Sequence, residues 1–201
     1  EIDETLINLT SSSAFINIRG SNVELTDSVI QATGSINLTA TVKLTFTNTL
    51  VEQFGTSDSI LRIDAPSFSF SGYDLRSNAV MEVVSNQTFT FDNDTNFEAN
   101  EFWFRVATLT IEEVNLQSSL KVYGTNMTVD SVDNIADLYF GGDTGIIQDS
   151  SIGDLEFDSP SFTIRDVTFS GSLDANSDTF LMDGATGITT LKLRSNATIY
   201  N

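Results

Sequence analysis

Short runs that alternate apolar and polar residues recur along the whole chain. They are most regular from Phe102 onward, where Phe102-Trp-Phe, Leu120-Lys-Val, Leu138-Tyr-Phe, Leu155-Glu-Phe, Leu173-Asp-Ala and Leu191-Lys-Leu start 18, 18, 17, 18 and 18 residues apart. A second run follows most of these: Leu109-Thr-Ile111, Met127-Thr-Val129, Phe162-Thr-Ile164 and Ala197-Thr-Ile199. A third apolar point comes at Val114, Val132, Ile152 and Val167. Alternation predicts half-buried strands. Strands this short, this closely spaced and without Asn-Gly or Asp-Gly turns do not form hairpins. Three short strands in each repeat of about 18 residues predict a β-solenoid, in which every turn stacks on the one before.

The first half follows the same plan more loosely. Its anchors Ile16, Ile36, Leu61, Met81 and Phe102 lie 20, 25, 20 and 21 residues apart. Its second strands are placed at Val23–Leu25, Val42–Leu44, Phe68–Phe70 and Phe89–Phe91. The expectation is an all-β, single-stranded parallel β-helix of about ten rungs. It forms one domain over residues 1–201, or a segment of a longer solenoid, with rungs of 17–18 residues from 102 and of 20–25 before it.

Stacking turns sequence positions into columns about 4.8 Å apart. The outward column of the first strand reads Asn17, Asn37, Arg62, Glu82, Trp103, Lys121, Tyr139, Glu156, Asp174, Lys192. Trp103 and Tyr139 stand out in it as a possible binding face for sugars. The preceding corner reads Glu101, Ser119, Asp137, Asp154, Ser172, Thr190, a ladder of small polar groups suited to hydrogen-bonding between rungs. The second strand shows outward pairs Thr41/Lys43, Ser67/Ser69, Thr88/Thr90, Thr108/Thr110, Asn126/Thr128, Ser161/Thr163 and Asn196/Thr198. High β-propensity accounts for such a Ser/Thr face.

Together these repeats resemble the parallel β-helix proteins, which include pectate lyases, adhesins and fibre proteins. The likeness covers residues about 15 to 201 and lies in repeat geometry, with no signature motif. It implies a right-handed helix, since uneven corners match that branch and the six-residue steps of the left-handed branch are absent. It also implies the functions weighed next.

Charge narrows them. Nine Lys+Arg stand against 28 Asp+Glu, a net charge of −19. Such a surface repels phosphate backbones and anionic lipid heads, so no nucleic-acid partner and no direct membrane insertion are expected. No run of apolar residues is long enough for a spanning helix. There is no Cys and no His, which removes thiolate chemistry and the commonest general base and metal ligand.

Three motifs are candidates for chemistry. Asp137 and Asp154, on adjacent rungs, are spaced like the carboxylates of a retaining glycosidase. No basic cluster accompanies them, and a structural ladder is the expected role. Asp92-Asn-Asp-Thr-Asn96 has alternating oxygens, but Phe97 and Trp103 stand where a calcium loop needs Gly and Glu. Gly141-Gly-Asp143 is a fragment of a calcium nonapeptide without its repeat. Hence no catalytic residue, metal or cofactor is expected. Asn-x-Ser/Thr sequons at Asn8, Asn37, Asn86, Asn93, Asn126 and Asn196 predict covalently attached glycans.

The expected function is a non-catalytic extracellular or cell-surface structural protein: a β-solenoid segment of a surface fibre, adhesin stalk or matrix filament. With no capping segment between Glu1 and Thr5, and with Asn201 ending inside a rung, end-to-end self-association is expected too. An adhesive or carbohydrate-binding module is the alternative. An ice-binding Ser/Thr face and a polysaccharide-degrading enzyme stand behind it.

Overall fold

A computed structural model describes residues 1–10, 15–56, 58–92 and 94–199, without the side chains of Asp3 and of 195–199. Among the described residues every regular element is a strand and none is a helix. The strands pair in parallel and stack as a β-solenoid of about nine turns. Ten anchors bound nine complete turns, which reconciles this number with the ten rungs counted from sequence. The chain divides into two compact units, Glu1–Gln87 with Asn96–Trp103, and Thr88–Thr95 with Phe104–Asn201.

In the first unit, the first side of each turn stacks Ile16, Ile36, Leu61 and Met81. All four are buried. The second side stacks Val23, Leu44 and Phe68, and beside them Leu25, Phe46 and Phe70. The Phe46 and Phe70 rings lie 5.4 Å apart and nearly parallel. The third side stacks Ile7, Ile30, Val51 and Leu75. One inward column here turns polar: Gln53, fully buried, accepts a 2.9 Å hydrogen bond from the hydroxyl of Ser77, buried level with it on the next turn.

In the second unit, Leu120, Leu138, Leu155, Leu173 and Leu191 form the first-side column. The second side stacks Phe89, Leu109 and Met127, and beside them Phe91, Ile111, Val129, Ile147, Ile164 and Met182. The third side stacks Ile135, Ile152 and Phe169. Stacked phenylalanines fill the interior, with Phe157 and Phe162 3.9 Å apart. Removing such a ring from a packed core costs about 3–5 kcal/mol.

Three expectations need correction. Strands are not all short. Ile36–Gln53 and Ser67–Val84 each run for 18 residues, because the chain bends at a corner while its hydrogen-bond ladder continues. The second strand of the second rung is Leu44–Phe46, not Val42–Leu44. The ladder shifts between Gly20 and Asn22, so Lys43 lies level with Asn22, and Val42 is 53% exposed. Its outward pair is therefore Lys43/Thr45, level with Ser67/Ser69, and not Thr41/Lys43. Ile152 does not share a column with Val132 and Val167. It is level with Ile135 and Phe169, and the buried Ser150 takes the position between the two valines.

The corner from second to third side has one recurrent device. Glu4, Asp27, Asn48 and Gly72 in the first unit, and Glu113, Ser131, Asp149, Asp166 and Gly184 in the second, all have φ between 45° and 66°. A single left-handed residue turns the chain through the corner on each of these rungs. The conformation costs an L-residue roughly 1–2 kcal/mol, less where a short polar side chain bonds locally. The amides of Glu4, Asp27, Glu113, Ser131, Asp149 and Asp166 still donate to a neighbouring rung, as Asp27 does to Thr47 O at 2.9 Å and Asp166 to Asp183 O at 2.9 Å. The next residue often seals the turn. Ser28, Thr49 and Ser150 are buried, and their hydroxyls donate to the carbonyls of Thr26, Thr47 and Gln148.

Candidate binding surface on the first side

Strand alternation sends every second residue of the first side outward, so each outward residue sits one rung from its column neighbours. In the first unit the column is Asn17, Asn37, Arg62, Glu82. Arg62 holds this patch together. It donates to Glu82 Oε2 at 2.8 Å and to Asp64 Oδ2 at 2.9 Å. Partial burial works against its charge, but the hydrogen bonds and charges of Asp64 and Glu82 outweigh it and raise the guanidinium above its ordinary pKa. A shallow groove of about 710 Å³ runs beside it, lined by Arg19, Asn37, Thr39, Thr41, Arg62 and Asp64 among others.

In the second unit the outward column is Lys121, Tyr139, Glu156, Asp174, Lys192. A second outward column beside it reads Tyr123, Gly141, Asp158, Asn176, Arg194. Tyr123 and Tyr139 are diagonal neighbours, with ring centroids 5.5 Å apart and planes inclined at 49°. The Arg105 guanidinium lies over the Tyr123 ring, 5.1 Å from its centroid. Burial first, and then the neighbouring Tyr123, Asp158 and Glu156, push the Tyr139 phenol up, so it stays a protonated donor at neutral pH.

The two aromatic residues singled out from sequence are thus placed differently from expectation. Both are half-buried rather than exposed. Tyr139 is grouped with Tyr123, while Trp103 belongs to the first unit. Tyr123 and Arg105 were missed. The signal was present: Tyr123 ends Leu120-Lys-Val-Tyr, and extending the outward reading by one step exposes it.

The carboxylate candidates are occupied by structural bonds. Asp137 and Asp154 are level on adjacent rungs. Ser119 Oγ donates to Asp137 Oδ2 at 2.7 Å, and Ser172 donates to Asp154 Oδ1 through both its amide and its hydroxyl. The Ser172 hydroxyl, and then its amide, hold Asp154 below the usual carboxylate range. A carboxyl so placed is ionised at neutral pH, the wrong state for a general acid. In the Asp92 loop, Asp92 Oδ1 accepts from the Asp94 amide and the Thr95 hydroxyl, 3.0 and 3.1 Å away. Gly141 and Gly142 are ordinary strand positions level with Tyr123 and Gly124. Among the described residues no three carboxylates converge as metal ligands.

The Ser/Thr face is real but interrupted. Thr90, Thr110 and Thr128 stack, and the column then continues through Ile146, Thr163 and Leu181. Of the sequons, Asn8, Asn86 and Asn126 are exposed. Asn37 is half-buried, level with Asn17 on one rung and Arg62 on the next. Asn93 and the side chain of Asn196 lie outside the described residues.

Comparison of the chain with protein-family models, with curated proteins and with solved structures finds no match. The functional reading therefore rests on the fold and its side chains.

Proposed function

We propose that this chain is a non-catalytic structural protein of the extracellular space or cell surface, a β-solenoid segment of a fibre, adhesin stalk or matrix filament. Within the parallel β-helix proteins it stands with the adhesin and fibre type. The observation that carries this reading is the use made of outward polar side chains. They bond from rung to rung: Gln31 to Glu52, Asn48 to Asp27, Gln148 to Asp130, Asn176 to Asp158 and Arg194 to Asp174, all at 2.8–3.0 Å. Groups committed to the neighbouring turn reinforce a stack. Such a stack also repeats its backbone ladder without limit, which suits end-to-end association.

The reading includes N-glycans at the exposed Asn8, Asn86 and Asn126. Native material is expected to show filaments by electron microscopy, with glycopeptides at these three asparagines by mass spectrometry. Isolated particles at every concentration, with bare asparagines, would overturn both parts.

A further inference from the structure

We propose that Tyr123 and Tyr139, with Glu156 and Asp158, form a binding patch for neutral pyranose oligosaccharides on the first side of the second unit. This goes beyond the structural role and stands whether or not that role is correct.

The case begins with position. Outward sites on this side hold Ser, Thr, Asn or charged residues almost throughout, while the phenylalanines of the second unit point inward. Tyr139 is half-buried, and Tyr123 beside it remains 38% exposed. They are nevertheless held in a fixed arrangement. Arg105 covers one face of the Tyr123 ring. A guanidinium over a ring is an attractive contact that buttresses it.

Gly141 lets the Tyr139 ring lie down against the strand. It is level with Tyr123 on one rung and with Asp158 on the next. A Cβ there would sit 3.1 Å from Tyr139 Oη and 3.6 Å from Tyr123 Cδ1. The Tyr139 ring therefore lies across a residue with no side chain, which lets the two tyrosines meet beside Asp158. One rung, about 4.8 Å, separates Tyr123 from Gly141 and Gly141 from Asp158. A pyranose ring is about one rung across.

The chemistry fits a sugar. A pyranose presents C–H bonds on its face and hydroxyls around its edge. Aromatic faces carry negative quadrupole charge and attract C–H groups. Carboxylates are acceptors only, with lone pairs enough for several hydroxyls. Asn176 Nδ2 donates to Asp158 Oδ1 at 2.9 Å and so orients that carboxylate. The protonated Tyr139 phenol supplies a donor. The same carboxylates select for charge, since Glu156 and Asp158 repel carboxylated or sulfated sugars in a chain already at −19.

The test is titration of the full chain, with 13C-labelled tyrosine rings, by cellohexaose, mannohexaose, xylohexaose and hexagalacturonate. At least one neutral hexasaccharide is expected to shift the Tyr123 and Tyr139 resonances saturably, and hexagalacturonate is not. Tyr123→Ala is expected to weaken that binding about tenfold. Tyr123→Trp, which enlarges the platform, should retain or tighten it and controls for misfolding of the alanine variant. Absence of any shift with the neutral sugars would overturn the proposal. So would equal binding of hexagalacturonate, or an unchanged affinity in Tyr123→Ala with a folded Tyr123→Trp.

Discussion

Single residues decide how the chain turns its corners. At the left-handed corner, Gly72 and Gly184 adopt positive φ freely, whereas Glu113, at φ 52°, gains nothing from its long side chain there. Glu113→Gly is expected to stabilise the protein by about 1 kcal/mol, read as a higher urea midpoint with an unchanged slope. The reverse change, Gly184→Ala, should destabilise it. Its new Cβ would meet Asp166 Oδ1 at 2.3 Å in a backbone region alanine avoids. None of this corner could be read from the sequence. The usual sign of a left-handed residue is Gly or Asn, and here Glu, Asp and Ser fill most of the column. The requirement comes from stacking, which fixes the corner's geometry whichever side chain is present.

At the level of strands and ladders, legibility followed spacing. Leu120, Leu138, Leu155, Leu173 and Leu191 were recovered as one column because constant steps let each rung predict the next. Near Val42 the step is uneven, and alternation alone could not say which Val or Leu faced inward. The candidate surface is legible only in part for a related reason. Tyr139 is visible in the first outward column and Tyr123 one step further along its strand, but that the two rings meet diagonally depends on side-chain direction, which spacing does not give. The corner ladder makes its own prediction. Ser172→Ala removes the hydroxyl bonded to Asp154, so the Asp154 carboxyl should move up toward its ordinary value, seen by carboxyl 13C titration. Because the folded pKa is lowered, the stabilisation is present above the unfolded value. It is lost as the pH falls through the folded one. The difference in stability between wild type and Ser172→Ala should therefore shrink in strong acid. A carboxyl that titrates identically in both proteins would refute the role given to Ser172.

For the whole molecule, charge and repeat set the behaviour. With 28 acids and nine bases, complete pairing would still leave 19 acids unopposed. Self-repulsion should outweigh the ion pairs, so raising the salt from 10 mM to 0.5 M is expected to raise the thermal midpoint. A fall would mean that pairs such as Arg62–Glu82 dominate. The ladders carry a further consequence for how the chain is made. Partners on adjacent turns lie between 17 residues apart, as in Ile135 and Ile152, and 25, as in Ile36 and Leu61. During synthesis at about 5–20 residues per second, a complete turn emerges every ~1–5 s. Each can dock on its predecessor before the next exists, so the nascent chain carries its own template and needs no distant segment to begin folding.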